Sequence, residues 1–178
     1  MRRTWLSIRV ELVSGRGEFF WPRPGRIFAA SRSHSFALLA QAIEDAFARW
    51  ERGHLHQFEL LDGTRLTTPW GPGDDLDGAL DDRRIRLSRL QPGEQFCYTF
   101  DLGDGWDHLC TVGEERVDAV AELGLIPATP LPFWGWGALP DQYGRRWDSD
   151  DGEGGPLPPD PRGTDLPRLG GWRRWQDA

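Results

Sequence analysis

The chain has 178 residues and a formal net charge of −7, and all 21 of its basic residues are arginine. That length accommodates one domain of roughly 120 to 150 residues with a tail, not two full domains. The acidic balance counts against a protein that coats nucleic acid through clustered positive charge. No stretch approaches the roughly 20 apolar residues of a bilayer span, and residues 1–12 lack the apolar run of a signal peptide. Cys97 and Cys110, the two cysteines, are too few for a secreted disulfide framework, so a soluble cytoplasmic protein with free thiols is expected.

Along the chain, Thr4 to Val13 (TWLSIRVELV) alternates apolar and polar residues and reads as a first strand. Gly15 and Gly17 supply a turn, and residues 18–29 return as an edge or bulged strand, because Pro22 and Pro24 cannot donate to a ladder. In residues 35–51 the side chains of Phe36, Leu39, Ala40, Ile43, Phe47 and Trp50 recur every three or four positions. This predicts the main helix, with Ser33 or Ser35 as N-cap and Gly53 as stop. Residues 54–61 alternate as a strand with His54, His56, Phe58 and Leu60 on one side. Residues 62–82 read as an acidic, solvated loop without the spacing of an EF-hand. Residues 85–90 form a short strand or a helical turn.

Phe96 to Val112 (FCYTFDLGDGWDHLCTV) reads as a β-hairpin. A turn centred between Gly103 and Asp104 would pair Cys97 with Cys110, Thr99 with His108 and Asp101 with Trp106. In that register the two cysteines lie within disulfide range, and Phe96, Tyr98, Phe100 and Leu109 form the opposite, core-facing side. Beyond residue 118 a short helix over 117–125 is followed by a Pro/Trp-rich strap. Residues 148–165 are rich in Gly, Pro and acid and read as a flexible tail, at whose end Trp172 and Trp175 could dock. The expected architecture is α+β and β-grasp-like: a mainly antiparallel sheet on one principal helix, with an irregular C-terminal extension. The expected organisation is a domain at 1–118, a strap at 119–147 and a tail at 148–178.

The segments HLHQFEL at 54–60 and LQPGEQFCYTFDLGDGWDHLCTV at 90–112 resemble the signature of the plasmid pRiA4b ORF-three-like family, in outline from Trp5 to about Asp118. FWGWGALPDQYG at 133–144 is similar to the distal segment of one branch. The resemblance singles out His54, His56, Phe58, Tyr98, Asp101, Gly103, Asp104, Trp106 and His108. It implies a fold more than an activity, although some members carry labels linking them to insertion-element passenger or resolvase-like proteins. Many relatives follow the hairpin with a cysteine-bearing segment, and this chain has no cysteine after Cys110.

The candidate binding cluster is His54, His56, Asp101, Asp104, Trp106 and His108. Convergence of His54, His56, Asp101 and His108 would supply the donors of a Zn²⁺ or similar site, which makes a divalent metal the one cofactor to consider. The competing reading is structural, with each histidine bonded to a carbonyl or carboxylate and the aspartates serving the turn. Asp101 and Asp104 also admit a paired-carboxylate or Mg²⁺ role. Arg83, Arg84, Arg86 and Arg89 read as a charge-paired surface. Phe133, Trp134, Trp136, Tyr143 and Trp147 form either a stacking platform or a strap that completes the core. No GxGxxG, P-loop, HExxH or GxSxG motif occurs, so no catalytic residue is assigned. The leading expectation is a non-enzymatic binding module with a groove for a protein segment or small ligand at the hairpin. The alternatives are a metal-dependent hydrolase or nuclease that uses the His/Asp cluster, and a DNA-associated mobile-element accessory protein.

Overall fold

In a computed structural model, which describes residues 5–71, 73–74 and 76–145, nine strands form one mixed sheet. β1 (Trp5–Gly15) bends into the short β2 (Glu18–Phe19) and pairs antiparallel with β3 (Gly25–Ser31). Its alternation places Leu6, Ile8, Val10 and Leu12 in the core, as period-two patterning requires. β4 (His56–Leu60), β5 (Arg65–Thr67) and β6 (Leu80–Asp81) extend one side of the sheet, and β5 and β6 are parallel. β7 (Gln95–Phe100) and β8 (Trp106–Val117) form the central hairpin, and β9 (Leu131–Trp136) closes the other edge against β3. The order is β6-β5-β4-β7-β8-β1-β3-β9.

This corrects the β-grasp-like α+β expectation. Segments read from sequence as loop or strap pair as β5, β6 and β9, so the molecule is mostly one large sheet with a single substantial helix. That helix, α1 (Phe36–Ala46), lays Phe36, Leu39, Ala40 and Ile43 onto the sheet, and Phe36 meets Phe58 edge-on at 5.1 Å. Each such aromatic, fully buried, contributes about 1.5–3 kcal/mol of hydrophobic stabilisation. Ser35 is the N-cap, its Oγ accepting from the Leu38 amide at 3.3 Å.

α1 stops short of the expected Glu51. Ala48 adopts φ +57°, and the Arg49 amide donates back to the Glu44 carbonyl at 2.8 Å, a closure of the Schellman kind. The remaining helical pieces are a 3₁₀ turn at Leu87–Arg89 and the five-residue α2 (Ala119–Leu123). The expected tail at 148–178, with Trp147, Trp172 and Trp175, lies outside the described residues.

The hairpin register also differs from expectation. Phe100 pairs with Trp106, Tyr98 with His108, Cys97 with Leu109 and Phe96 with Cys110. The loop is the five-residue stretch 101–105, with Asp101 at φ +54° and the Gly105 amide donating to the Asp101 carbonyl at 2.7 Å. An odd loop shifts pairing by one residue, and in a strand that exchanges the two faces. Trp106, His108 and Cys110 therefore join Phe96, Tyr98 and Phe100 in the core, while Cys97 faces outward. The cysteines occupy opposite faces, both as free thiols.

Candidate functional site

β4 presents His56 toward α1 at the edge of the core, just ahead of the buried Phe58 and Leu60. The parallel pairing of β5 with β6 then delivers Asp82 to the same place. The Asp82 amide donates to the Thr67 carbonyl at 3.1 Å, and its carbonyl accepts from the Ala37 amide in the first turn of α1 at 3.2 Å. His56 Nε2 donates to Asp82 Oδ2 at 2.7 Å. Thr68 Oγ1 donates to Asp82 Oδ1, also at 2.7 Å. Asp82 is fully buried, so both its oxygens are satisfied by charge-assisted or hydroxyl bonds, as a buried carboxylate requires.

On the other side of the imidazole, Glu44 from α1 lies 3.7 Å from His56 Nδ1. The buried Tyr98 hydroxyl donates to the same Glu44 oxygen at 2.7 Å. Burial pushes the Glu44 carboxyl above the usual carboxylate range, against the Tyr98 hydrogen bond and the nearby His56. The histidine is therefore held between two carboxylates, each fixed by its own hydroxyl donor.

Above this group opens a cavity of about 400 Å³. Glu44, His54, His56 and Thr68 supply its polar wall, and Leu55, Pro69 and Trp70 its apolar one. Trp70 stands at the rim, 71% exposed. A concave, largely apolar space with a few convergent polar groups is the usual form of a small-molecule site, and its volume falls within the usual range.

His54 joins a second, adjoining group. Its Nδ1 is 3.1 Å from Asp101 Oδ2, and its Nε2 is 2.8 Å from the Tyr143 hydroxyl, which donates to Glu51 at 2.8 Å. Asp101 also caps its own turn, Oδ1 accepting from the amides of Gly103 at 3.0 Å and Asp104 at 3.3 Å. Asp104 points elsewhere and pairs loosely with Arg16 at 3.8 Å.

His108 is buried in the core. Its Nδ1 donates to the Tyr98 carbonyl at 3.2 Å and Phe47 packs edge-on at 4.8 Å. Burial, aided by the Arg49 charge, lowers its pKa to about 3. Trp106 is sandwiched between Phe20 and the Arg49 guanidinium, the latter 3.8 Å from the ring. On β9, Trp136 donates its indole N–H to the Arg23 carbonyl at 2.8 Å and covers Gly25, while Trp134 is 44% exposed opposite Ile27.

The fold thus unites His54 with Asp101 and Tyr143 and seats His56 beside them, but sends Asp104, Trp106, His108, Trp134 and Trp136 to other places. Among the described residues no group of three or more His, Cys, Asp or Glu is arranged to hold a metal ion. Sequence reading missed Glu44, Asp82 and Arg49. Glu44 carried a signal, since it falls four residues after Ala40 on the apolar stripe of α1. Asp82 carried none, being one aspartate in an acidic run. Its neighbour Asp81 takes the arginine pairing expected there, with Arg83 at 2.9 Å and Arg84 at 3.4 Å.

A protein described as uncharacterized protein y4hQ, from Sinorhizobium fredii (strain NBRC 101917 / NGR234), is 37% identical over 87 residues, covering 45% of this chain and 42% of that protein. The match thus spans less than half the length of that relative. In fold, the chain resembles the crystal structure of a protein of unknown function, MM3350, from Methanosarcina mazei Go1. The TM-score is 0.56 at 19% identity, covering 74% of this chain and 68% of the other. The pattern that defines the plasmid pRiA4b ORF-3-like proteins matches residues 7–128, about two thirds of the sequence, and the chain belongs to that family.

Proposed function

We propose that this chain is a cytoplasmic small-ligand-binding domain whose site is the cavity between α1, the 52–56 segment and the 68–70 turn. The observation that carries this reading is the cavity itself, floored by His56 in a fixed orientation and walled by Pro69 and Trp70. The proposed groove thereby lies at the start of β4 rather than at the tip of the hairpin, and the strap at 119–147 contributes indirectly, through Tyr143 on His54. A ligand suited to this space is flat and partly apolar, with a polar edge that meets His56 and Glu44. The chain's acidic balance makes a nucleic-acid ligand the poorer fit.

Titration with indole and benzimidazole, followed by NMR, tests the site. The expected result is saturable shifts at the imidazole signals of His54 and His56 and at the Trp70 indole, abolished in Ala37→Trp, which fills the cavity from its α1 side. Shifts that survive that substitution, or none at these residues, would refute the assignment.

A further inference from the structure

We propose that the cavity is an acid–base site in which His56 removes a proton from the bound ligand, so that the domain performs proton-transfer chemistry. This rests on the ligand-binding reading above and adds a reaction to it. The geometry that supports it is the division of labour at the imidazole. Nε2 is committed to Asp82 at 2.7 Å, and a carboxylate accepts, so in the neutral ring the proton resides on Nε2 and the lone pair on Nδ1. Nδ1 is the nitrogen turned toward Glu44, 3.7 Å away, and both residues line the cavity.

Asp82 acts as a positioning residue. It is fully buried and anchored by Thr68, so the ring cannot turn without breaking its 2.7 Å hydrogen bond to a carboxylate that is itself fixed. An imidazole oriented by a buried carboxylate at the wall of a ligand space is the arrangement general-base chemistry needs.

The charges facing the ring favour the transfer. From α1 comes Glu44, after β6 Asp82, after β5 the Thr68 hydroxyl, and from β7 the Tyr98 hydroxyl, with Arg52 and His54 at the cavity wall. When Nδ1 takes up a proton, the new positive charge lies between two carboxylates fixed in advance, and preorganised charge of this kind is the effective form of electrostatic stabilisation. Structural service alone would need only the Asp82 bond and would leave no reason for a second buried carboxylate at Nδ1 with a cavity above it.

5-Nitrobenzisoxazole is a suitable probe, being flat, small enough for the space and unreactive until a base attacks its C3–H. His56 Nδ1 would take the C3 proton, the C–H electron pair would form the nitrile, and the N–O bond would break with its pair leaving on oxygen as a coloured phenolate. The imidazolium then returns its proton to water.

The expected result is saturable turnover by the full chain, reduced at least about 100-fold in His56→Gln, the scale on which a positioned base contributes. Asp82→Asn should lower kcat at least about tenfold with KM unchanged and move the pH–rate midpoint, because an amide cannot hold the Nε2 proton as a carboxylate does. Ala37→Trp leaves Glu44, His56 and Asp82 in place and should abolish turnover by excluding the probe, which guards against a His56 variant that fails to fold. Saturable binding with turnover equal in wild type and His56→Gln overturns the proposal and leaves the binding reading standing. Turnover that persists in Ala37→Trp places the base elsewhere and also overturns it, while absence of any probe binding removes both readings.

Discussion

Three histidines show how far the environment outweighs identity. His54, His56 and His108 share a side chain, yet one bridges Asp101 and Tyr143, one stands between Glu44 and Asp82, and one lies in the core among Phe47 and Tyr98. For His108 the consequence is a pH dependence with a definite sign. Its pKa is about 3 when folded against an ordinary value of 6.5, so between those limits only the unfolded chain binds the proton, and stability falls as pH falls. The contribution is fully present above about pH 6.5. Urea denaturation at pH 7 and pH 5 should show a loss of about 2 kcal/mol from this residue in wild type, absent in His108→Gln. Equal losses in the two proteins would mean that His108 is charged inside the fold. Arg49 belongs to the same interior, where burial lowers its pKa to about 10 and its guanidinium stacks on Trp106, a cation–π contact strengthened by desolvation.

Among the elements, the β7–β8 hairpin illustrates how a local detail redirects side chains. Its strands are legible from alternating aromatics, but the register depends on whether the loop holds an even or odd number of residues. The five residues from Asp101 to Gly105, with left-handed backbone at both ends, settle that count and exchange the faces of β8 relative to the symmetric reading, while β7 keeps Phe96, Tyr98 and Phe100 in the core. Thiol labelling reads the register directly. Cys97 is exposed and Cys110 is buried, so under native conditions dithionitrobenzoate should titrate one thiol, and two after unfolding. Slow native labelling is expected, because burial and the neighbouring Glu59 and Asp107 raise the Cys97 thiol pKa and so suppress the thiolate. Two thiols reacting alike without denaturant would contradict the register. The helix was legible in kind, and its N-cap was narrowed to Ser33 or Ser35, of which the structure selects Ser35. Its end was not legible, because Ala48 rather than a glycine takes the left-handed position.

At the scale of the whole molecule, the segment after α2 is built into the architecture. β9 hydrogen-bonds to β3, and Gly25 gives the Trp136 ring a place where any side chain would collide, an added Cβ lying 2.2 Å from that ring. Further on, the buried Gln142 grips the backbone of Glu51, its amide oxygen accepting from the Glu51 N–H at 3.1 Å and its amide nitrogen donating to the carbonyl at 2.9 Å. Tyr143 reaches His54 from that anchor. Gln142→Ala should therefore cost about 1–3 kcal/mol, the scale of buried backbone groups left unpaired. It should also speed amide exchange across 49–54 and 141–145 while leaving β7 and β8 protected. Unchanged exchange at 141–145 would show that the segment is held by other contacts.

Sequence by itself determined the features whose cause is local. Periodicity marks α1, alternation marks β1, β4, β7 and β8, a serine at 33 or 35 marks the helix start, and the ordered aromatic, Asp and His residues of 54–60 and 90–112 carry the family. Only the tertiary structure decided the sheet's extent and the membership of the site. Short strands such as β5 and β6 have too little pattern of their own and exist because neighbours complete their ladders. His56 and Asp82 lie 26 positions apart, and Glu44 and Tyr98 54 apart. Their convergence follows from strand order and register, which no window of sequence contains.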